Sequence, residues 1–396
     1  MSVNAAAAIL GRPLAWVPVA HALDIALAAL LLAICLWTLK QPVNLRRSLQ
    51  VPVVIQLLLA WTITVSLLWN YDPVSLRHYL RYIGGNVTLF GVGILCCRKE
   101  LAIRLICRVC LVAGVLQGGL GIWFTMKGLG WASARAAFVP GIGTSLGYTC
   151  GFAVLYTVIG RDPWLRPFAI LPLLIAGFGV LVGGSKIALL LTLAFLVLSY
   201  MFNVLHAQRI APAKVALGLL LLPVTGVSSY VFLSSEHSGM GREILDSESF
   251  ADSFEGRMSL FKRFGDSSMD NLLVGSGISA AYDEGYGFDM ISRTHSVLSS
   301  LLVQIGVPGV LLYILFLTFC LLFGGRALCA TSPSAPNYHL LAFLNVAVFF
   351  LLLKAEVTSD VPGNRSLWIF SALLLNYCVL YLQDASRYRF GGQALP

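Results

Sequence analysis

The stretch RTHSVLSSLLVQIGVPGVLLYILFLTFCLLF, residues 293–323, sets an arginine and a histidine two positions apart against an apolar run without a charge from Val297 to Phe323. That run exceeds the ~20 residues a helix needs to cross a bilayer. It reads as a membrane span approached from a polar surface. Upstream of it, the segment from Ser234 to Thr294 lies between two long apolar runs and holds eleven of the chain's eighteen acidic residues. It is the one sizeable water-facing piece of a chain otherwise built for a membrane, so function is sought there.

The rest of the composition agrees. Hydrophobic residues make up 58% of the chain and charged residues 11%, and the mean hydropathy is +0.83, far outside the range of soluble domains. Further apolar runs lie at Val19 to Leu39, Val51 to Trp69, Tyr82 to Cys97, Leu105 to Met126, Ser145 to Gly160, Phe168 to Leu181, Ile187 to Phe202, Val215 to Leu233, Leu340 to Leu353 and Leu367 to Leu382. They predict an all-α polytopic membrane protein of about eleven to twelve transmembrane helices. Its expected organisation is N-terminal helices over 1–233, a loop over 234–295 and C-terminal helices over 296–396, all in one membrane domain. No cleavable signal peptide is expected, because Ala5 to Leu10 lacks a basic flank.

Lys and Arg collect in short cytoplasmic loops. Alternate loops here carry Lys40, Arg46 and Arg47; Arg98, Lys99 and Arg104; Arg161 and Arg166; Arg209 and Lys214; Arg326; and finally Arg387 and Arg389. This set defines an inside, which puts the acidic loop and the N-terminus outside and the C-terminus in the cytoplasm. The nine cysteines avoid the outer loop, so structural disulfides are not expected. The net charge of +9 follows from inner loops facing anionic headgroups and calls for no nucleic acid.

Once that inside is fixed, a group of cations remains on the other face. Arg77 and Arg81 precede the third run, Arg135 separates the fourth and fifth, Lys186 follows Gly183-Gly184-Ser185, Arg257 and Arg293 lie in the long loop, and Arg365 precedes the last run. Ionisable groups at the edge of a helix bundle are costly unless paired or facing a wet cavity. Guanidinium forks bind phosphate oxygens bidentately and stay charged, so a pyrophosphate at the outer surface suits the set. Each arginine taken alone also fits snorkelling to headgroups or pairing with a loop carboxylate. Lys186 stands out, since the first amides of a helix and its ammonium can face one anion.

His295 has the side chain best suited to exchange a proton near neutral pH, with Arg293 placed to hold an anion beside it. A lone interfacial histidine is more often an amphipathic anchor; the pairing with Arg293 below a polar loop favours catalysis. Spacings typical of structural zinc or of a two-metal site are missing from the sequence, so a metal-free site built on arginine is expected, with no cofactor. Tyr282, Tyr286 and Phe288 suit either sugar stacking or packing of the loop.

Taken in order, Gly183-Gly184-Ser185-Lys186, Glu255-Gly256-Arg257, Leu273-Val274-Gly275-Ser276-Gly277, Thr294-His295-Ser296 and Gln304-Ile305-Gly306-Val307-Pro308-Gly309 resemble the motifs of the O-antigen ligase and O-antigen polymerase superfamily, over roughly residues 180–325. Three positions depart from its pattern: Lys186 stands for an arginine, Ser296 for an asparagine and Gln304 for an acidic residue. The stretch Thr358 to Trp368 is similar to one before the last helix of polysaccharide polymerases, which would bring Asp360 and Arg365 near the site.

The resemblance implies a GT-C-like membrane glycosyltransferase of the bacterial inner membrane with its site facing the periplasm. The donor it implies is a glycan on undecaprenyl diphosphate, the acceptor another lipid-linked glycan or lipid A-core, and a further partner a chain-length regulator. In that reading His295 is the general base, Arg257 and Arg293 act with it, and Lys186, Arg135, Arg365, Arg77 and Arg81 receive the diphosphate, supported by Asp360 and Ser296. Inversion follows from a single displacement. A polymerase is favoured slightly over a ligase; a polysaccharide transporter or flippase, or a non-catalytic assembly scaffold, are the rivals from other classes.

Overall fold

The computed structural model describes residues 47–69, 76, 79–80, 82–126, 142–165, 167–182, 186–207, 273–277, 282–283, 292–293, 296–358 and 365–391. In chain order they form α1 (Arg47–Trp69), a π-helical turn (Tyr82–Val87) leading into α2 (Thr88–Cys96), α3 (Glu100–Met126), α4 (Ile142–Leu155) ending in a second π turn (Tyr156–Gly160), a 3-10 turn (Pro163–Leu165), α5 (Ile170–Val182) and α6 (Lys186–Ala207). Two short strands follow, β1 (Tyr282–Asp283) and β2 (Ser292–Arg293), then α7 (Val297–Ala330), α8 (Tyr338–Thr358) and α9 (Arg365–Gly391).

The protein is thus an all-helical polytopic membrane protein; the sole strand pairing among the described residues is the two-residue antiparallel ladder of β1 and β2. Among the described residues, four segments are long and apolar enough to cross a membrane: Leu49–Leu67, Glu100–Trp123, Val297–Ala330 and Tyr338–Glu356. Their outward faces carry bare apolar side chains such as Trp61, Leu101 and Leu311, each more than half exposed. In water such faces would be a liability, whereas lipid tails satisfy them.

Several ends differ from the apolar runs. The run ending at Leu353 continues as helix to Thr358 and takes in Lys354 and Glu356, and the run ending at Phe323 continues to Ala330 past Arg326. The expected runs Val19 to Leu39 and Val215 to Leu233 lie outside the described residues. Helix α7 stops where sequence demands it. Thr331 returns its amide to Leu328 O at 3.1 Å and its hydroxyl to Ala327 O at 2.6 Å, and Pro333 and Pro336 follow, so the last carbonyls are satisfied and the helix cannot resume.

The chain divides into two units interleaved in sequence. The first takes Met1–Ala20, Leu105–Phe254 and Ser332–Val346. Its helices approach closely through small residues. A Cβ on Gly118 would lie 2.6 Å from the carbonyl oxygen of Ile175, and one on Gly179 would lie 2.8 Å from the Cα of Gly118. Within a membrane, where apolar burial gives no preference for protein over lipid, such backbone contact is what holds helices together.

The same unit contains a buried acid. Asp162 receives Arg108 Nε at 2.7 Å, Arg108 Nη2 at 2.9 Å, the Tyr156 hydroxyl at 2.7 Å and the Trp164 amide at 3.1 Å. Burial pushes its carboxyl up, but the hydrogen bonds from Arg108, Tyr156 and Trp164 and the Arg108 charge outweigh it and hold the group down to about 2. Arg108 also lies 5.6 Å from the centroid of the Trp164 ring, a cation–π distance.

The second unit takes His21–Arg104, Glu255–Thr331 and Ala347–Pro396. Its core is aromatic. Trp368 packs against Tyr82, Tyr313 and Phe316 with ring centroids 6.5, 6.0 and 5.2 Å away, and Phe316 meets Phe90 at 5.4 Å. Farther along α9, Asn376 donates its Nδ2 to the carbonyls of Gly93, Ile94 and Cys97 at 2.7, 3.1 and 3.2 Å. The Gly93 carbonyl already accepts the Cys97 amide at 3.2 Å, so Asn376 adds a second donor there and supplies one to the carbonyls of Ile94 and Cys97 at the end of α2, where a buried site offers no water.

Candidate functional site

The described site residues of the second unit sit where α7 and α9 begin and α8 ends. Three local arrangements build the region. The first is a break in α7. Gly306 adopts φ 69° and ψ −165°, conformations that a side chain disfavours, and Pro308 follows. Pro308 has no N–H to give the carbonyl of Gln304, and the break at Gly306 takes Val307 out of register with the carbonyl of Val303. The turn Gly275-Ser276-Gly277 fills both places: Ser276 N donates to Val303 O at 2.7 Å and Gly277 N to Gln304 O at 3.1 Å. Two motifs nearly thirty residues apart in sequence are therefore one interlocked structure.

Gly275 makes that interlock possible. Its φ is +75°, and a Cβ there would lie 2.5 Å from the carbonyl carbon and oxygen of Gln304 and from the amide of Ile305. No L side chain fits. Beside the joint, a cavity of about 190 Å³ is lined by Trp61, Thr62, Ser66, Val274, Ile305 and Pro308, with Val65 and Leu273. Gln304 itself is 1% exposed, and its Nε2 has no hydrogen-bond partner among the described residues.

The second arrangement is the start of α7. Ser296, in extended conformation and 3% exposed, is the N-cap, its Oγ accepting the Ser299 amide at 3.3 Å. The same hydroxyl donates to Oε2 of Glu356 at 2.8 Å, and that oxygen also accepts the Leu298 amide at 3.2 Å. Tyr313 donates its hydroxyl to the other carboxylate oxygen at 3.3 Å. The last turn of α8 thus caps the first turn of α7, a carboxylate at the positive end of a helix.

The third is the start of α9. The Arg365 side chain, half-buried, lies across the π turn so closely that a Cβ on Gly85 would stand 2.8 Å from Nε and 3.3 Å from Cδ and Cγ. Thr88 bonds the carbonyl of Ile83, five residues back, at 2.9 Å, which holds the π register that presents Gly85.

Of the residues singled out from sequence, Ser296 and Arg365 are placed with their side chains, both in the second unit. Arg293 is placed by its backbone, paired in register with Tyr282, and Lys186 by its backbone as the first residue of α6 in the first unit. His295, Arg257, Arg135, Arg77, Arg81 and Asp360 lie outside the described residues, as do Tyr286 and Phe288. Sequence reasoning passed over Glu356. The available signal was a pair of charges, Lys354 and Glu356, at the end of an apolar run, and such charges in a membrane helix ask for partners.

The fold defines a polytopic helical membrane protein with a polar segment ahead of a capped and broken helix. Residues 171–314 match the family model described as O-antigen ligase, Wzy_C. That match, over those residues, bears out the resemblance to the O-antigen ligase and O-antigen polymerase superfamily. Its function is accordingly of the O-antigen ligase or polymerase type, glycosyltransferase-like and part of polysaccharide biosynthesis at a bacterial membrane. A comparison with curated proteins gives no match.

Proposed function

We propose that the protein transfers a glycan from undecaprenyl diphosphate to an acceptor sugar hydroxyl at the periplasmic face of the inner membrane, most consistently as a polymerase of O-antigen or exopolysaccharide repeat units. The observation that carries the reading is the O-antigen ligase match, whose span from 171 to 314 includes Lys186, Arg257, Arg293, His295 and Ser296. The reading also draws support from the capped start of α7 directly after His295, since a catalytic base needs a rigid support.

In the proposed step His295 takes the proton of the acceptor hydroxyl, whose oxygen attacks the anomeric carbon from the face opposite the leaving group. The bond from that carbon to the diphosphate oxygen breaks, and undecaprenyl diphosphate leaves with the electron pair. One displacement inverts the centre. Arg257, Arg293 and Lys186, with Arg135, Arg365, Arg77 and Arg81, receive the negative charge that develops on the diphosphate, the work a metal does in other transferases. Asp360 supports this set. A ligase acting on lipid A-core differs only in the acceptor.

The test is product formation by purified protein in nanodiscs given undecaprenyl-diphosphate-linked repeat units with EDTA present. A ladder of longer lipid-linked glycans that vanishes in His295→Ala is expected. Transfer that starts only when lipid A-core is added makes the protein a ligase. Inactivity with every acceptor, or full activity of His295→Ala, overturns the reading.

A further inference from the structure

We infer that Glu356 is a positioning residue of the transfer reaction, holding the segment that carries His295 through Ser296. The inference rests on the proposed role of His295 and adds a residue that lies 60 positions away in sequence from the serine it holds.

The argument begins with the amides at the start of α7. A helix opens with donors that have no intrahelical acceptor. Here the Leu298 amide goes to Glu356 Oε2 and the Ser299 amide to Ser296 Oγ, while the Ser300 amide closes the first turn on Ser296 O at 3.0 Å. The Ser296 hydroxyl uses its single proton toward the same Oε2. Its lone pairs are thereby left for Ser299, so the carboxylate fixes which way the cap points. A serine alone would cap the helix without being oriented from outside.

Glu356 is held from behind as well. Tyr313, fully buried, donates to Oε1, so the two carboxylate oxygens have separate duties: Oε1 anchors the acid and Oε2 grips the helix start. Three donors on one carboxylate, one a backbone amide at the positive end of a helix, form a charge-assisted network of the stronger kind. The peptide between His295 and Ser296 is the next link upstream. Any rotation of Ser296 swings it, and a misplacement of about 1 Å at a reacting group costs about a hundredfold in rate. Stability alone accounts for a cap, yet Ser296 satisfies the helix amide already. What Glu356 adds is orientation from a second helix.

Glu356→Gln keeps shape and volume but offers one acceptor oxygen where the carboxylate offers two, and puts N–H groups against either Leu298 N or Tyr313 Oη. Expected is a fall in kcat of about ten- to a hundredfold, with KM for the lipid-linked donor within about twofold and an unchanged folded fraction on size exclusion. Ser296→Ala is the second variant. It removes one hydroxyl, and its loss in kcat should not add to that of Glu356→Gln in the double variant, because both act through one contact. A loss explained wholly by less folded protein, an effect on KM alone, or additive losses overturns the inference. His295→Ala runs alongside: if it keeps activity, the functional reading fails; if it is dead while Glu356→Gln keeps its kcat, the reading stands and the positioning role falls.

Discussion

The amide of Gly277 donates to the carbonyl of Gln304 at 3.1 Å, and it does so at the one carbonyl of that helical turn which Pro308 cannot serve. A proline inside a membrane helix normally leaves such a carbonyl to a neighbouring helix, a side chain or water. Here a turn from the polar segment supplies the donor, so the helix break and the turn stabilise each other.

Gly275→Ala should therefore be among the most damaging single-methyl additions in the chain. It forces a side chain into a positive φ and into the Gln304 peptide, at a cost of about 1–3 kcal/mol for the backbone conformation before any clash. Gly91 and Gly177 are the controls, since a Cβ there meets nothing within 4 Å and alanine in a helix gains about 0.5–1 kcal/mol over glycine. Heating detergent-purified protein and following the folded peak on size exclusion should show Gly275→Ala melting lower than wild type and Gly91→Ala no lower. Equal melting of the two variants would contradict the interlock.

Asn376 carries a comparable load at the other end of the second unit. Asn376→Leu leaves the carbonyls of Gly93, Ile94 and Cys97 without this donor in a buried position. An unsatisfied buried group costs about 1–3 kcal/mol. The expected result is a lower melting temperature and faster hydrogen exchange at the end of α2, with Asn376→Gln recovering only part of it because of its extra methylene. Exchange unchanged at Cys97 would count against the cap.

How much of this was readable in the residues divides by the range of the forces. Apolar runs located α1, α3, α5 and α6 to within about five residues, because lipid selects helices by hydropathy alone, and found the starts of α7 and α9 while stopping short of their more polar ends at Ala330 and Gly391. Lys186 at the first position of α6, after a glycine pair, was legible for the same local reason. Helix α8 was read too short, since Lys354 and Glu356 look like a run's end; Glu356 stays helical because Ser296, Leu298 and Tyr313 meet its carboxylate, and no window of sequence shows partners 43 to 60 positions away. The π turns at Tyr82 and Tyr156 were equally hidden. Gly306 and Pro308 announce an irregularity, but only the fold shows that residues 275–277 complete it.

Acid should act on the first unit through Asp162. Its carboxyl is held down to about 2 in the folded chain against about 3.9 in an unfolded one. A depressed folded value contributes stability above the unfolded value, here about 2–3 kcal/mol, which is lost progressively as pH falls through about 4 and past 2. Stability of the wild type should decline across that window. Asp162→Asn should be less stable at pH 7, because Arg108 loses its buried partner, and should lose less of its remaining stability between pH 4 and 2. Parallel pH curves for the two proteins would show that the Asp162 pairing does not govern this transition.

Arg365 offers a test of the proposed diphosphate site that leaves every charge in place. The Gly85→Ala methyl would stand 2.8 Å from Nε and 3.3 Å from Cδ, so the guanidinium must move while its charge remains. If Arg365 receives the donor's diphosphate, Arg365→Ala should lower kcat/KM for the lipid-linked donor by about ten- to a hundredfold, the loss of one or two charge-assisted hydrogen bonds. Gly85→Ala should reproduce part of that loss, and Arg365→Lys should sit between, with a charge but no fork. The order wild type, Gly85→Ala, Arg365→Ala in donor kcat/KM per folded enzyme is the signature of a guanidinium whose placement matters. If both variants only reduce the amount of folded protein and the surviving enzyme works normally, Arg365 is a packing residue over the π turn and drops out of the proposed diphosphate site.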